Sequence, residues 1–146
     1  MTELSVKIRH TLTETRMVLP GTQALLGFQL IVLLMDGFAR LPRSSKMVHL
    51  ACLAATALTA IWLIAPAAYH RIVYDGEDTE AFHGTASHFL LAAMATLALS
   101  VTGDYFVIAR EITGSEALAA GAAAFLLILF YSCWFAIPLL TRRLKT

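Results

Sequence analysis

Charged residues are scarce in this chain, and the positions of the charge-free segments indicate which class of protein it belongs to. Charged residues make up 14% of the 146 residues. None of them falls in four long runs of 19 to 25 residues: Met17–Met35, Met47–His70, Ala81–Gly103 and Ala117–Thr141. A helix needs about 20 apolar residues to cross the hydrocarbon layer of a membrane, whereas helices of a soluble bundle carry charge on their exposed faces. The runs exclude a soluble bundle and predict four membrane-spanning helices.

Other absences exclude further classes of protein. Hydrophobic residues are 58% of the chain and the formal net charge is only +1, so no polybasic character points to nucleic acid. No phosphate-binding loop, Gly-x-Ser-x-Gly, His-Glu-x-x-His or Cys-x-x-Cys motif occurs, and we therefore expect no enzyme. The only cysteines, Cys52 and Cys133, fall at different depths of predicted spans and are expected to be free thiols.

The pattern of apolar runs predicts an all-α integral membrane protein in three parts. Residues 1–16 have apolar positions every four residues and are expected to form a short amphipathic helix at the membrane interface. Residues 17–141 form a transmembrane domain, and residues 142–146 form a basic tail. The predicted spans are about 21–38, 47–69, 85–108 and 117–140. Short connections make neighbouring spans antiparallel, which gives an up-down-up-down four-helix bundle.

The basic residues and the first apolar run predict the orientation. No small-residue cleavage site follows that run, so we expect it to be retained as the first span. The N-terminus, the second connection and the C-terminus share one side and hold seven Lys and Arg residues, against four on the other side. The seven are Lys7, Arg9, Arg16, Arg71, Arg142, Arg143 and Lys145. Both termini are therefore expected in the cytoplasm.

Three ionisable residues lie near one level of the predicted bundle. Asp36 closes span one, His49 opens span two and Asp104 lies about one turn inside span three. A central Asp costs about 2.5–3.5 kcal/mol to insert, so such residues are candidates for function. An imidazole between two carboxylates could bind or transfer protons or small cations. The alternative is that Asp36 and His49 are interfacial residues that reach water.

Polar side chains extend this layer into a possible ion path. On span one, Thr22, Gln29 and Asp36 are seven residues apart and share a face, with Gln23 beside the first of them. On span three, Thr96 and Ser100 precede Asp104 at four-residue spacing. These side chains could line a water path, or they could hydrogen-bond neighbouring helices as packing contacts.

A second polar cluster is predicted at the other end of the bundle. Its members are His70, Arg71, Glu80, His83 and His88. Metal binding is disfavoured because His83 and His88 are five residues apart and point in different directions on a helix. A haem shared by His70 and either of these would need more room than consecutive helices, 8–10 Å apart, provide. We expect no cofactor, with haem or metal at this cluster as the alternative.

Two segments resemble a known family. Arg16–Gln23 reads Arg-Met-Val-Leu-Pro-Gly-Thr-Gln, and Ala65–Arg71 reads Ala-Pro-Ala-Ala-Tyr-His-Arg. They resemble a family of small bacterial four-span membrane proteins classed as a domain of unknown function, and the similarity covers about Arg16 to Phe135. Some members carry an automatic sodium:proton antiporter label. The resemblance implies a multi-pass protein of the bacterial cytoplasmic membrane.

Three functions follow as hypotheses. The first is a small membrane protein that conducts or exchanges protons or monovalent cations through Asp104. We expect it to be a homo-oligomer, because the bundle formed by one chain is too narrow for a substrate cavity. Small-residue pairs in span four, such as Ala117 with Gly121, allow either packing within the bundle or self-association. The second hypothesis is an accessory or scaffold subunit of a larger membrane complex. The third is a haem- or quinone-binding redox module built on His70, His83 and His88.

Overall fold

The computed structural model of the chain describes residues 3–144, and the regular structure in that part is entirely helical. The helices are α1 (Glu3–Val32), α2 (Asp36–Arg40), α3 (Arg43–Ile72), α4 (Glu80–Thr113), α5 (Glu116–Tyr131) and α6 (Ile137–Arg143). A π-helical turn, Ser132–Ala136, joins α5 to α6. The predicted all-α class is confirmed. Met1, Thr2, Lys145 and Thr146, the ends of the predicted interfacial segment and basic tail, lie outside the described residues.

Three helices are long and apolar enough to cross a membrane. They are α3, α4 and the continuous segment Glu116–Arg143, with 30, 34 and 28 residues and mean hydropathies of 2.0, 1.6 and 2.2. At 1.5 Å per residue even the shortest is about 42 Å long, more than the roughly 30 Å thickness of the hydrocarbon layer of a bilayer. These helices coincide with three of the four predicted spans.

Helix α1 is continuous across the boundary that the sequence predicts between the interfacial segment, residues 1–16, and the transmembrane domain. The expected interfacial helix and the start of the expected first span form one helix, with Pro20 in its interior. Its buried residues recur at spacings of three, four and seven and share one face: Ile8, Thr11, Thr15, Thr22 and Gln29. Because this face packs against α3 and α4 on both sides of Pro20, tertiary contacts hold the helix together across the proline.

The helix that contains the first apolar run ends earlier than the sequence predicts. α1 stops at Val32 rather than near Phe38, and a turn leads into the short α2. No Pro or Gly stands in residues 32–35, so a local breaker does not explain the stop. Tertiary contacts fix the bend instead: the ring of Phe38 meets His49 edge-on, with centroids 5.4 Å apart. Lys46 Nζ lies 5.9 Å from the Phe38 centroid and donates to the Ala39 carbonyl at 2.8 Å.

The buried face of α3 is polar rather than apolar. Its buried residues alternate at spacings of four and three, the pattern of a helix-packing seam: Ser45, His49, Cys52, Thr56, Thr59, Leu63 and Pro66. Large apolar side chains cover the outside of the molecule instead. This is the reverse of a soluble protein and is typical of membrane helices, where small and hydroxyl side chains let backbones approach closely.

The helices pack as a group of three with a fourth on its flank. α3 and α4 form the central pair, α1 packs against both, and α5 packs against α4. In the described part of α5 and α6 only Ala119 and Ala123 are buried. On the side of the α4–α5 turn, Arg110 donates to Ser44 Oγ at 2.7 Å and pairs with Glu116 at 2.9 Å, which joins the ends of α3, α4 and α5. The common interior is therefore built by α1, α3 and α4.

Cys52 sets a tight contact between α3 and α4. Both cysteines are free thiols as predicted, with Cys52 buried and Cys133 exposed. A Cβ added at Gly103 would collide with Cys52 Sγ, so Gly103→Ala should destabilise the fold by about 1–3 kcal/mol through overpacking. Unfolding in detergent with increasing SDS measures the change.

Gly84→Ala on the same helix is the matched control, because nothing lies within 4 Å of the added Cβ. It should leave stability equal or slightly higher. Adding Cys52→Ala to Gly103→Ala should recover most of the loss. A Gly103→Ala variant as stable as the Gly84→Ala variant would contradict this packing.

Candidate functional site

Three of the predicted ion-path residues meet in the shared interior. α1 supplies Gln29, α3 supplies His49 and α4 supplies Asp104. Gln29 is 3% exposed, and the His49 and Asp104 side chains are 6% and 16% exposed. Each lies on the seam of its own helix, so packing the three helices brings the polar groups together. The sequence predicts that His49 and Asp104 lie near one level, and in the structure their side chains are in direct contact.

The imidazole of His49 is held at both ring nitrogens. Nδ1 lies 2.9 Å from Asp104 Oδ1, and Nε2 lies 3.0 Å from the backbone carbonyl oxygen of Gln29. A carbonyl can only accept, so Nε2 carries a hydrogen and donates it. The ring therefore has a fixed orientation, with Nδ1 directed at the carboxyl group.

A hydrogen bond between His49 Nδ1 and Asp104 Oδ1 contains one proton, which can lie on either atom. Since Nε2 is already protonated, a proton on Nδ1 makes an imidazolium facing a carboxylate. If the proton lies on Asp104 Oδ1 instead, both groups are neutral and the oxygen donates to Nδ1. Both arrangements satisfy the same 2.9 Å contact. The pair can therefore exchange a proton internally without losing a hydrogen bond.

Gln29 contacts both members of this pair. Its side-chain Nε2 donates to Asp104 Oδ2 at 2.6 Å and to Ser100 Oγ at 3.0 Å, which uses both amide hydrogens. Its backbone carbonyl accepts from His49. The side-chain oxygen Oε1 is buried and accepts no hydrogen bond from the residues that the structure describes. The amide thus directs one hydrogen at the carboxyl group and the other at Ser100, and its oxygen is left as an open buried acceptor.

A row of hydroxyl groups continues from the pair along the α3–α4 interface. Ser100 Oγ donates to the Cys52 carbonyl at 2.9 Å and is hydrogen-bonded to Thr56 Oγ1. One turn further, Thr59 Oγ1 and Thr96 Oγ1 are 2.7 Å apart. The sequence places Ser100 and Thr96 on the face of Asp104. Thr56 and Thr59 were missed, although their spacing from His49 and Cys52 marks the same face of α3.

A cavity of about 210 Å³ adjoins the pair on its other side. Gln29, His49 and Asp104 line it together with seven apolar residues from α1, the α1–α3 connection and α4: Leu25, Phe28, Val32, Phe38, Leu41, Val107 and Ile108. The volume is sufficient for several water molecules, and the three polar side chains supply partners for them. The pair lies between this cavity and the row of hydroxyl groups.

Asp36 and Gln23 lie outside the network. α1 ends before Asp36, which stands exposed at the start of α2, and the predicted stripe of Thr22, Gln29 and Asp36 is therefore interrupted. Gln23 is exposed on α1, whereas its neighbour Thr22 is buried. The predicted layer of one imidazole between two carboxylates has a single carboxylate in the structure, that of Asp104.

The second predicted cluster is dispersed. His70 Nε2 lies 3.4 Å from Asp78 Oδ1, and its ring packs on Phe82 with centroids 4.7 Å apart. The other four members are spread over two helices, with Arg71, Glu80 and His88 exposed and His83 half-buried. Within residues 3–144 no group of three or more His, Cys, Asp or Glu side chains is arranged to hold a metal ion.

The chain matches one protein family. A family model described as "Family of unknown function (DUF6328)" matches residues 4–138. The chain belongs to this family, which agrees with the resemblance to a domain of unknown function. No curated protein and no solved structure matches it.

Removing the Asp104 carboxyl group should destabilise the three-helix interior. Asp104→Leu deprives His49 and Gln29 of their shared acceptor and should cost about 2–4 kcal/mol, whereas Asp104→Asn should cost less than about 1 kcal/mol. In the second variant the amide oxygen accepts from Gln29 and the amide nitrogen donates to His49 Nδ1. SDS unfolding of the purified protein measures both free energies.

Asp36→Leu, which alters an exposed carboxyl group of the same chain, should change stability by less than about 0.5 kcal/mol. Equal losses for Asp104→Leu and Asp36→Leu would show that the network does not hold the helices together.

Proposed function

We propose that this member of the family moves protons across a membrane, by conduction or exchange, and that His49 and Asp104 carry the proton. The observation that supports this most is the 2.9 Å contact between His49 Nδ1 and Asp104 Oδ1, which can hold one shared proton. An ionisable pair inside membrane-length helices is costly and is typical of proton relays. A histidine is well suited to the task because its unperturbed pKa lies near neutrality.

The hydrogen-bond pattern favours protons over sodium as the transported ion. Oδ1 of Asp104 faces His49 Nδ1, and Oδ2 accepts from Gln29 Nε2. A hard monovalent cation would need several oxygen ligands in place of these nitrogen donors. Binding one would require both Gln29 and His49 to rotate away, whereas a proton enters the existing geometry. Monovalent cations remain the alternative substrate of the same site.

The route follows the polar groups on either side of the pair. On one side, the 210 Å³ cavity next to Asp104 can hold water. On the other, Ser100, Thr56, Thr59 and Thr96 line the α3–α4 interface with hydroxyl groups that both donate and accept. Hydration of this interface during a conformational change would complete a path across the protein.

The proposed setting is the bacterial cytoplasmic membrane, crossed four times with α1 as the first span and both termini in the cytoplasm. The proposed active form is a homo-oligomer. Ala119 and Ala123 of α5 pack against α4, whereas the small-residue pair Ala120 and Ala124 stays exposed on the same helix. Small residues four apart allow a second helix to approach closely. A second copy of the chain on this face would enlarge the bundle.

The exposed α5–α6 segment also supports a second candidate function, that of an accessory subunit. Its outer face could contact unrelated membrane chains instead of a second copy. In that case the His49–Asp104 pair would only stabilise the fold. Replacement of Asp104 by Asn would then alter no flux, and the protein would co-purify with other chains in a fixed ratio.

Proton flux into proteoliposomes tests the primary proposal. Wild-type protein should acidify the lumen, as read by an enclosed pH-sensitive dye, and Asp104→Asn should reduce the rate by about tenfold or more. The variant preserves the hydrogen bonds but removes the carboxyl group that can take up and release the proton. His49→Asn should have a similar effect, because it removes the partner that exchanges the proton.

Asp36→Asn is the matched control and should retain the wild-type rate, since the exposed Asp36 carboxyl group lies outside the network. A sodium gradient imposed without a pH gradient separates the two substrates. Equal proton flux in wild type and Asp104→Asn would remove Asp104 from the path. Folded wild-type protein with no flux of either ion would favour the accessory subunit.

A further inference from the structure

A second cavity lies at the other end of α1 and α3, far from the His49–Asp104 pair. It has a volume of about 680 Å³ and is a groove between the first half of α1 and the last turns of α3. Its lining combines apolar residues with charged ones, among them Leu19, Leu63, Ile64, Arg16, Arg71 and Asp75. A smaller cavity of about 300 Å³ shares Arg16 and His70 with it. We call the larger cavity the arginine groove.

Within residues 3–144, the two arginines of this groove have no side-chain partner. Neither Arg16 nor Arg71 makes an ion pair or a hydrogen bond through its side chain to any residue between 3 and 144. Asp78 is near His70 rather than either arginine. Asp75 is the one acidic lining residue, so the groove carries a formal charge of +1 with His70 neutral. That charge complements one monoanionic group.

The position of the arginines relates the groove to the membrane surface. Arg16 is the last charged residue before the charge-free run Met17–Met35, and Arg71 is the first after the run Met47–His70. Both therefore mark the boundary between the hydrocarbon layer and the headgroups. Leu19, Leu63 and Ile64 lie on the hydrocarbon side of that boundary and give the groove an apolar floor.

We propose that the arginine groove binds an anionic phospholipid, with Arg16 and Arg71 holding the phosphodiester and an acyl chain on the apolar floor. Guanidinium groups bind phosphate oxygens through paired N–H donors, and basic pockets between membrane helices hold lipid headgroups. Asp75 disfavours a headgroup with additional negative charge and can accept from a headgroup hydroxyl. The groove therefore favours a phosphatidylglycerol-like lipid. This inference does not depend on proton transport.

Native mass spectrometry of delipidated protein in detergent tests the proposal with dioleoyl phosphatidylglycerol as the probe. The expected result is one tightly retained lipid per chain. Arg16→Gln combined with Arg71→Gln should weaken binding by about tenfold or more, since two charge-assisted contacts are lost. Dioleoyl phosphatidylcholine, which lacks the hydroxyl groups and carries no net charge, should bind more weakly than phosphatidylglycerol to the wild type.

Two further variants keep the test independent of folding defects. Arg142→Gln removes an exposed arginine that does not line the groove and should bind as wild type does. Ala67→Phe fills the groove while keeping both arginines and should also abolish tight binding. Thermal unfolding of each variant shows that it is folded.

The proposal is overturned if the double variant, folded, retains phosphatidylglycerol as tightly as wild type and Arg142→Gln do. It is also overturned if glycerophosphoglycerol, the headgroup without acyl chains, binds as tightly as the lipid, because the apolar floor then contributes nothing. Weak binding of the headgroup alone and loss of lipid in Ala67→Phe would support it.

Discussion

The arrangement of α1, α3 and α4 depends on satisfying one largely buried carboxyl group, that of Asp104. A carboxylate removed from water is costly unless its oxygens accept hydrogen bonds. Asp104 on α4 obtains these bonds from His49 on α3 and Gln29 on α1. Each donor fixes the register of its helix relative to α4, because a shift by one residue would rotate the donor away from the acid. The interaction therefore specifies the packing of three helices at once.

The same constraint explains the composition of the interior. Once polar groups occupy the centre, the neighbouring seam positions must supply donors and acceptors, and Ser100, Thr56 and Thr59 do so within the α3–α4 interface. Hydroxyl side chains also keep the helices close, which large apolar residues would prevent. Hydrocarbon lipid chains are as apolar as leucine, so the large side chains gain nothing from being inside. They cover the outside, as observed.

The sequence predicts the features that follow from helix length and from the depth of each residue along its helix. The absence of charge predicts the long apolar helices, and the depths of His49 and Asp104 in their spans predict that the two lie near one level of the bundle. The end of α1 at Val32 could not be predicted, because no local signal stands there and the contact between Phe38 and His49 fixes the bend. The stripe of Thr22 and Gln29 reaches Asp36 only if the helix continues, and α1 ends four residues earlier, at Val32. Thr56 and Thr59 give a weak signal in the sequence because a threonine in an apolar helix can bond to its own backbone, and both hydroxyls do lie within hydrogen-bonding distance of the carbonyl four residues earlier.

Gln29 couples the position of α1 to the protonation state of the His49–Asp104 pair. Its amide donates to Asp104, and its carbonyl accepts from His49, so both members depend on one residue of one helix. Moving α1 away would leave an acceptor and a donor unpaired together, each at a cost of about 1–3 kcal/mol unless water replaced it. Any motion that admits water therefore changes the surroundings of both groups and, with them, the relative stability of the charged and neutral pairs. The coupling is reciprocal, because whatever favours one protonation state must by the same free energy favour one position of the helix.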